Sequence, residues 1–161
     1  LQFNKIPLFK ALCILAWLIA HPAVAQGLPP ASDLAADATR ARALHAPLLL
    51  LFSEPSCDWC ERARREYLVP MQNDAAYRGR VIIREVDTTS NATLVDFAGR
   101  ATTQREYATL FHVRKVPVVA LLGPEGQLLG EPMVGMAPDF YQFYLDDAID
   151  RGRRQLGAAE R

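Results

Sequence analysis

The chain has 161 residues, room for one ordinary domain plus a targeting segment. Half of the residues are apolar, which permits a sizeable core, and 18 basic residues balance 18 acidic ones for a formal charge of zero. That balance offers no electrostatic case for nucleic-acid binding, and none is expected.

Residues 1–25 read as a secretory signal peptide. Lys5 and Lys10 supply the positive end, residues 11–20 run without charge, and Ala23-Val24-Ala25 is a cleavage signal that puts the mature start at Gln26. The uncharged run falls short of the ~20 residues a membrane span needs. Lys10 stands where a lipid-attachment signal for Cys13 would want an aliphatic residue. Cleavage after Ala25 removes two lysines and no acids, so 18 basic residues become 16 against 18 acidic, a charge of −2. It also removes Cys13, leaving Cys57 and Cys60 in a compartment where disulfides form and persist.

Residues 26–31 read as a short linker, 32–156 as the domain and 157–161 as a tail. Ser32 is a candidate cap for a helix through Ala43, with Leu34, Ala38 and Ala41 on one side. Leu48 to Phe52 is a continuous apolar run, the signature of a central strand buried on both faces. It leads into Ser53-Glu54-Pro55-Ser56 and the cysteine pair. A helical pattern runs from Asp58 to Val69, where Pro70 stops or kinks it. Asp74 is placed to cap a short helix through Tyr77. Residues 81–86 read as a strand, and 87–102 as polar and irregular. Thr103 and Glu106 have capping-box spacing for a helix through Phe111. Val116 to Leu122 is another apolar strand, Gly123-Pro124-Glu125-Gly126 a turn, and Gln127 to Glu131 the returning strand. Pro138 suits the first turn of a last helix reaching about Leu156. Phe140, Tyr141, Phe143 and Tyr144 read as packing residues, and His45 and His112 as helix ends. Helices between strands imply parallel pairing and the final hairpin antiparallel pairing, so the fold class is α/β with a mixed central sheet covered on both faces.

Chemistry concentrates at Cys57-Asp58-Trp59-Cys60, between a buried strand and a helix. Two cysteines three positions apart close too small a loop to constrain the unfolded chain much, so the spacing favours redox work over stapling. A helix start exposes unpaired N–H groups and partial positive charge, which stabilise a thiolate. The thiolate is the attacking species in disulfide exchange. This assigns Cys57 as nucleophile and Cys60 as resolving thiol. Zinc wants about four ligands, and His45 and His112 lack the spacing, so no metal is expected. Covalent haem needs His after the second cysteine, where Glu61 stands. An inert disulfide in a binding or assembly module is the alternative from another class.

The run from Leu48 to Cys60, the helix after it, and Val116-Pro117 opening an apolar strand together resemble the thioredoxin-like family over residues 32–156. The form is similar to bacterial periplasmic thioredoxin-like proteins, including those associated with sulfur oxidation. The resemblance implies a thioredoxin fold with a cis bond at Pro117 facing the cysteines, and Val116 offering its backbone to a substrate strand. It implies a periplasmic thiol:disulfide oxidoreductase acting on protein disulfides without a cofactor, re-reduced by a membrane thiol-reducing donor, and monomeric. Two positions depart from the family: Leu51 and Ser56 stand where thioredoxin has a buried acid and a tryptophan. Glu54 is then the nearest acid for the resolving thiol, or simply an exposed loop carboxylate. Asp58 favours the helix start but opposes the adjacent thiolate, unless Arg62, Arg64 or Arg65 offsets it. A modestly stabilised thiolate points to a reductant; oxidase or isomerase is the alternative direction. Trp59 is expected beside the disulfide, as part of a partner surface or packed on its own helix.

Overall fold

The computed structural model describes residues 27–137 and 139–159. The expected signal peptide, Cys13 and Pro138 lie outside the described residues. Six consecutive residues form strand β1 (Leu48–Ser53), all of them buried. Its side chains alternate between two cores. Leu49 and Leu51 point into one with Ile83, Leu68, Leu145 and Ile149; Leu48, Leu50 and Phe52 point into the other with Leu34, Leu94 and Tyr107. Each fully buried leucine contributes about 2 kcal/mol by transfer from water.

Around β1 the sheet is four-stranded, in the order β2 (Ile82–Asp87), β1, β5 (Val118–Leu122) and β6 (Met133–Val134). Strand β2 runs parallel to β1, with Leu51 opposite Glu85. Strand β5 runs antiparallel, with Phe52 opposite Val118. The mixed α/β sheet expected from the sequence is thus present. One face carries α1 (Leu34–Leu44) and α4 (Gln104–Leu110). The other carries α2 (Asp58–Ala63), α3 (Val69–Asn73) and α5 (Tyr141–Ala159).

Several boundaries differ from the sequence reading. Asp33 rather than Ser32 caps α1, its Oδ1 accepting from the Ala36 N–H at 2.8 Å. Pro70 does not end the helix after the cysteines. A π-helical turn over Arg64–Leu68 intervenes, Val69 donates to the Arg64 carbonyl, and Pro70 falls in the first turn of α3, where its missing N–H costs little. Segment 87–102 is not irregular: β3 (Thr93–Val95) and β4 (Ala101–Thr103) form a small antiparallel hairpin. Gln127–Glu131 makes only a single bridge, Leu128 to Leu122; the returning strand β6 is Met133–Val134, after Pro132. Residues 28–31 are not a free linker, because Ala31 donates to the Glu85 carbonyl at 2.7 Å and Glu85 to the Pro29 carbonyl at 2.9 Å. Helix α5 runs past Leu156 to Ala159. Its buried stripe is Tyr141, Leu145 and Ile149, so Phe140, Phe143 and Tyr144 are exposed rather than core.

Two electrostatic features fasten α1 and α4. Asp37, 5% exposed, receives Arg84 of β2 bidentately at 2.7 and 2.5 Å. Thr103 and Glu106 form the expected capping box. Hydrogen bonds from Thr102 and Thr103 hold the Glu106 carboxyl below its ordinary 4.5. Replacing Asp37 by alanine leaves the Arg84 guanidinium enclosed without its partner and should cost about 3 kcal/mol in urea unfolding. The depressed Glu106 pKa makes its contribution complete above its unfolded value and lost as pH falls through the folded one. Glu106→Gln should therefore lower stability at pH 7 and flatten its decline below 4.5, read as denaturation midpoint against pH.

Candidate functional site

The end of β1 delivers the chain into a turn, closed by the Cys57 N–H donating to the Glu54 carbonyl at 3.3 Å. Cys57 then occupies the N-cap of α2 in extended conformation. Its sulfur stands where a capping oxygen usually stands and accepts the Cys60 N–H at 3.1 Å. The two cysteines are joined in a disulfide with Cα atoms 5.1 Å apart. They differ in access: Cys57 is half-buried, whereas Cys60 is fully enclosed.

The loop entering β5 lies at the same end of the sheet. The Val116–Pro117 peptide bond is cis. Pro117 is buried one residue before Val118, which is in register with Phe52. Its carbonyl accepts from Gly135, whose φ of +77° suits a residue without Cβ. Val116 is half-buried, and among the described residues no hydrogen bond uses its backbone. A cysteine pair at a helix start and an unpartnered stretch of backbone thus share one rim.

Charges next to Cys57 are mostly committed elsewhere. Asp58 is exposed in the first turn of α2 together with Glu61. Trp59 is 54% exposed, with the Arg62 guanidinium 5.8 Å from its ring centre, so the ring is open to solvent while one face meets a side chain of its own helix. Arg62 also donates to Glu66 at 2.9 Å, and that bond raises the arginine's pKa and lowers the carboxyl's. Arg65 pairs with Glu66. Arg64 turns inward to pair with Glu61 and Glu85. All three arginines therefore have carboxylate partners, and none is left to offset Asp58.

Glu85 is the residue that sequence reasoning missed. Its carboxylate accepts the Ser53 hydroxyl at 2.5 Å and the Arg64 Nε at 3.1 Å to both oxygens. Both partners of this ion pair are largely enclosed, with side chains 21% and 16% exposed. They line a cavity of about 400 Å³ with Ser53, Pro55, Asp87 and Gln104, beneath the loop that leads to Cys57. Glu85 stands in register beside Leu51, so the position without an acid on β1 has one on the neighbouring strand. Two adjacent charges, Arg84 and Glu85, inside a strand opened by two isoleucines were the available signal. Glu54, by contrast, is exposed and accepts from the Thr88 hydroxyl at 3.2 Å.

A family model described as a thioredoxin-like domain matches residues 34–146. Among solved structures, the chain is similar to a thioredoxin-fold protein from Helicobacter pylori, with 17% identity and a TM-score of 0.45 over 71% of this chain and 81% of that one. It is also similar to the C-terminal domain of Neisseria meningitidis DsbD in its oxidised form, with 17% identity and a TM-score of 0.43 over 70% and 90%. No curated protein matches the chain in sequence.

Removing either side of the enclosed pair strands the other. Glu85→Ala and Arg64→Ala should each lower stability by about 2 kcal/mol. The double variant should lose less than the two losses added, by on the order of 1 kcal/mol or more, in a denaturation double-mutant cycle.

Proposed function

The chain belongs to the thioredoxin-like family, and from that premise we propose that it is a thiol–disulfide oxidoreductase that reduces protein disulfides in the periplasm. The observation that carries this reading is the asymmetry of the pair: Cys57 is half-buried at the N-cap of α2, and Cys60 is fully enclosed one turn along. When the pair is reduced, the N-terminal amides of α2 stabilise a thiolate on Cys57. That thiolate attacks one sulfur of a substrate disulfide, and the other leaves as a thiolate that takes a proton from water. Cys60, deprotonated in turn, attacks the Cys57 sulfur of the mixed disulfide. The second substrate thiol departs, and Cys57–Cys60 is left oxidised. Two electrons have moved to the substrate, and a membrane thiol donor restores the dithiol. Val116 offers unpartnered backbone for the substrate strand beside Pro117, and Trp59 offers an exposed ring.

Charge supports the reducing direction. A strong oxidant is one whose reduced form is specially stabilised. Around Cys57 the helix amides act against Asp58, unpaired among the described residues, while Arg62, Arg64 and Arg65 are paired with carboxylates. The thiolate gains little, and the disulfide form is comparatively favoured. Glu85, with its hydroxyl and guanidinium partners, is the enclosed carboxylate on the α2 side of the sheet at this end, whereas Glu54, which the sequence offered as the acid for the resolving thiol, is exposed.

Insulin reduction with a dithiol donor tests the activity directly. Cys57→Ser should abolish turnover, and Cys60→Ala should accumulate mixed disulfides with protein substrates. The reduction potential of the pair should lie nearer to about −270 mV than to about −120 mV. A value at the oxidising end would refute the direction, and insulin left intact by the wild-type protein would refute the activity.

A further inference from the structure

On the face of the sheet opposite α2, the loop between α4 and β5 overhangs a groove of about 320 Å³. Phe111 and Val113 form one wall, Pro132 and Val134 the other, and Phe52 and Val118 the floor. Val134 belongs to the edge strand β6 and is 67% exposed. The rim is basic: His112, Arg114 and Lys115 also border the groove, and all three are exposed.

Two observations coincide at this rim. Arginines 40, 42, 62, 64, 65, 80, 84, 100 and 151 have carboxylate partners, whereas Arg114 and Lys115, like Arg78, Arg105, Arg153 and Arg154, take part in no ion pair among the described residues. Nor does any hydrogen bond among the described residues use the backbone from Arg114 to Val116. The segment therefore combines free cations, free main-chain groups and an apolar recess, and it runs directly into Pro117. Unpaired positive charge over an apolar floor complements a segment that is apolar and acidic together. An extended peptide uses main-chain groups for affinity and side-chain recesses for specificity.

We propose that this groove reads the polypeptide flanking the scissile disulfide. It takes an extended segment with one large apolar side chain a few residues from the cysteine and carboxylates beside it. This rests on the oxidoreductase reading and adds to it a substrate class. The apolar side chain enters between Val113 and Val134, and the carboxylates face Arg114 and Lys115.

The test uses the reduced protein and short peptides whose single cysteine carries a 2-thiopyridyl disulfide. Attack by Cys57 on the peptide sulfur releases pyridine-2-thione, read by absorbance. One peptide carries leucine flanked by glutamates, its counterpart leucine flanked by lysines, and leucine is scanned over the four positions after the cysteine. At low salt the acidic peptide should react about tenfold faster than the basic one. That ratio should shrink as salt screens it. It should invert in Arg114→Glu/Lys115→Glu and move the same way in Lys115→Glu alone. Because the ratio compares two peptides on one protein sample, altered cysteine reactivity does not move it. Leucine→serine in the acidic peptide should slow the reaction at one register at least. Equal rates for the two peptides, a ratio unchanged by charge reversal, or no slowing with serine at any register would overturn the inference. Mercaptoethanol activated with the same thiopyridyl group has neither charge nor side chain. If the wild-type protein fails to react with it, the oxidoreductase reading itself fails.

Discussion

Strand β1 is hidden on both faces, and the position of everything at the site follows from that. A strand with no solvent face can carry only apolar side chains, and Leu48 to Phe52 obey this without exception. Its register with β2 and β5 is correspondingly strict, because a slip of one residue would exchange the two cores. Its last residue therefore meets solvent at a fixed point. The turn at Glu54–Ser56 and the start of α2 hang from that point, and β5 sets Pro117 beside it. The cysteine pair owes its location to the least reactive part of the molecule.

Charge is handled as economically around the site as apolar surface is beneath it. Helix α2 and the π turn after it are rich in arginine, and a basic helix beside a thiol would ordinarily favour the thiolate. Here the arginines are drawn off: Arg62 to Glu66 and the Trp59 ring, Arg65 to Glu66, Arg64 to Glu61 and Glu85. The Arg64–Glu85 pair also ties the helix to β2 on the side where Ser53 leaves β1. One enclosed carboxylate thus fixes strand end and helix in the same place.

Much of this was legible because it was written in local chemistry. The apolar run of β1, the Thr103–Glu106 box, the turn from Gly123 to Gly126 and the cysteine pair each announce themselves within a few residues. What escaped depended on partners distant in sequence or on phase. The strands of the β3–β4 hairpin are three residues each, too short to show alternation. The aromatic residues at the start of α5 were assigned by type, but burial follows the helical period, which selects Tyr141 with Leu145 and Ile149. The meaning of Glu85 depends on Ser53 and Arg64, which lie 32 and 21 positions away in the chain.

The bridge between residues 29–31 and Glu85 has a consequence of another kind. A sheet advertises its unpaired margins to any passing strand, and exposed margins invite polymerisation. Here the β2 margin is sealed near its end by the protein's own leading segment. The opposite margin is only Met133 and Val134, hemmed by Pro132 before and Gly135 after. A margin two residues long is too brief to template a fibril, yet long enough to seat a visitor.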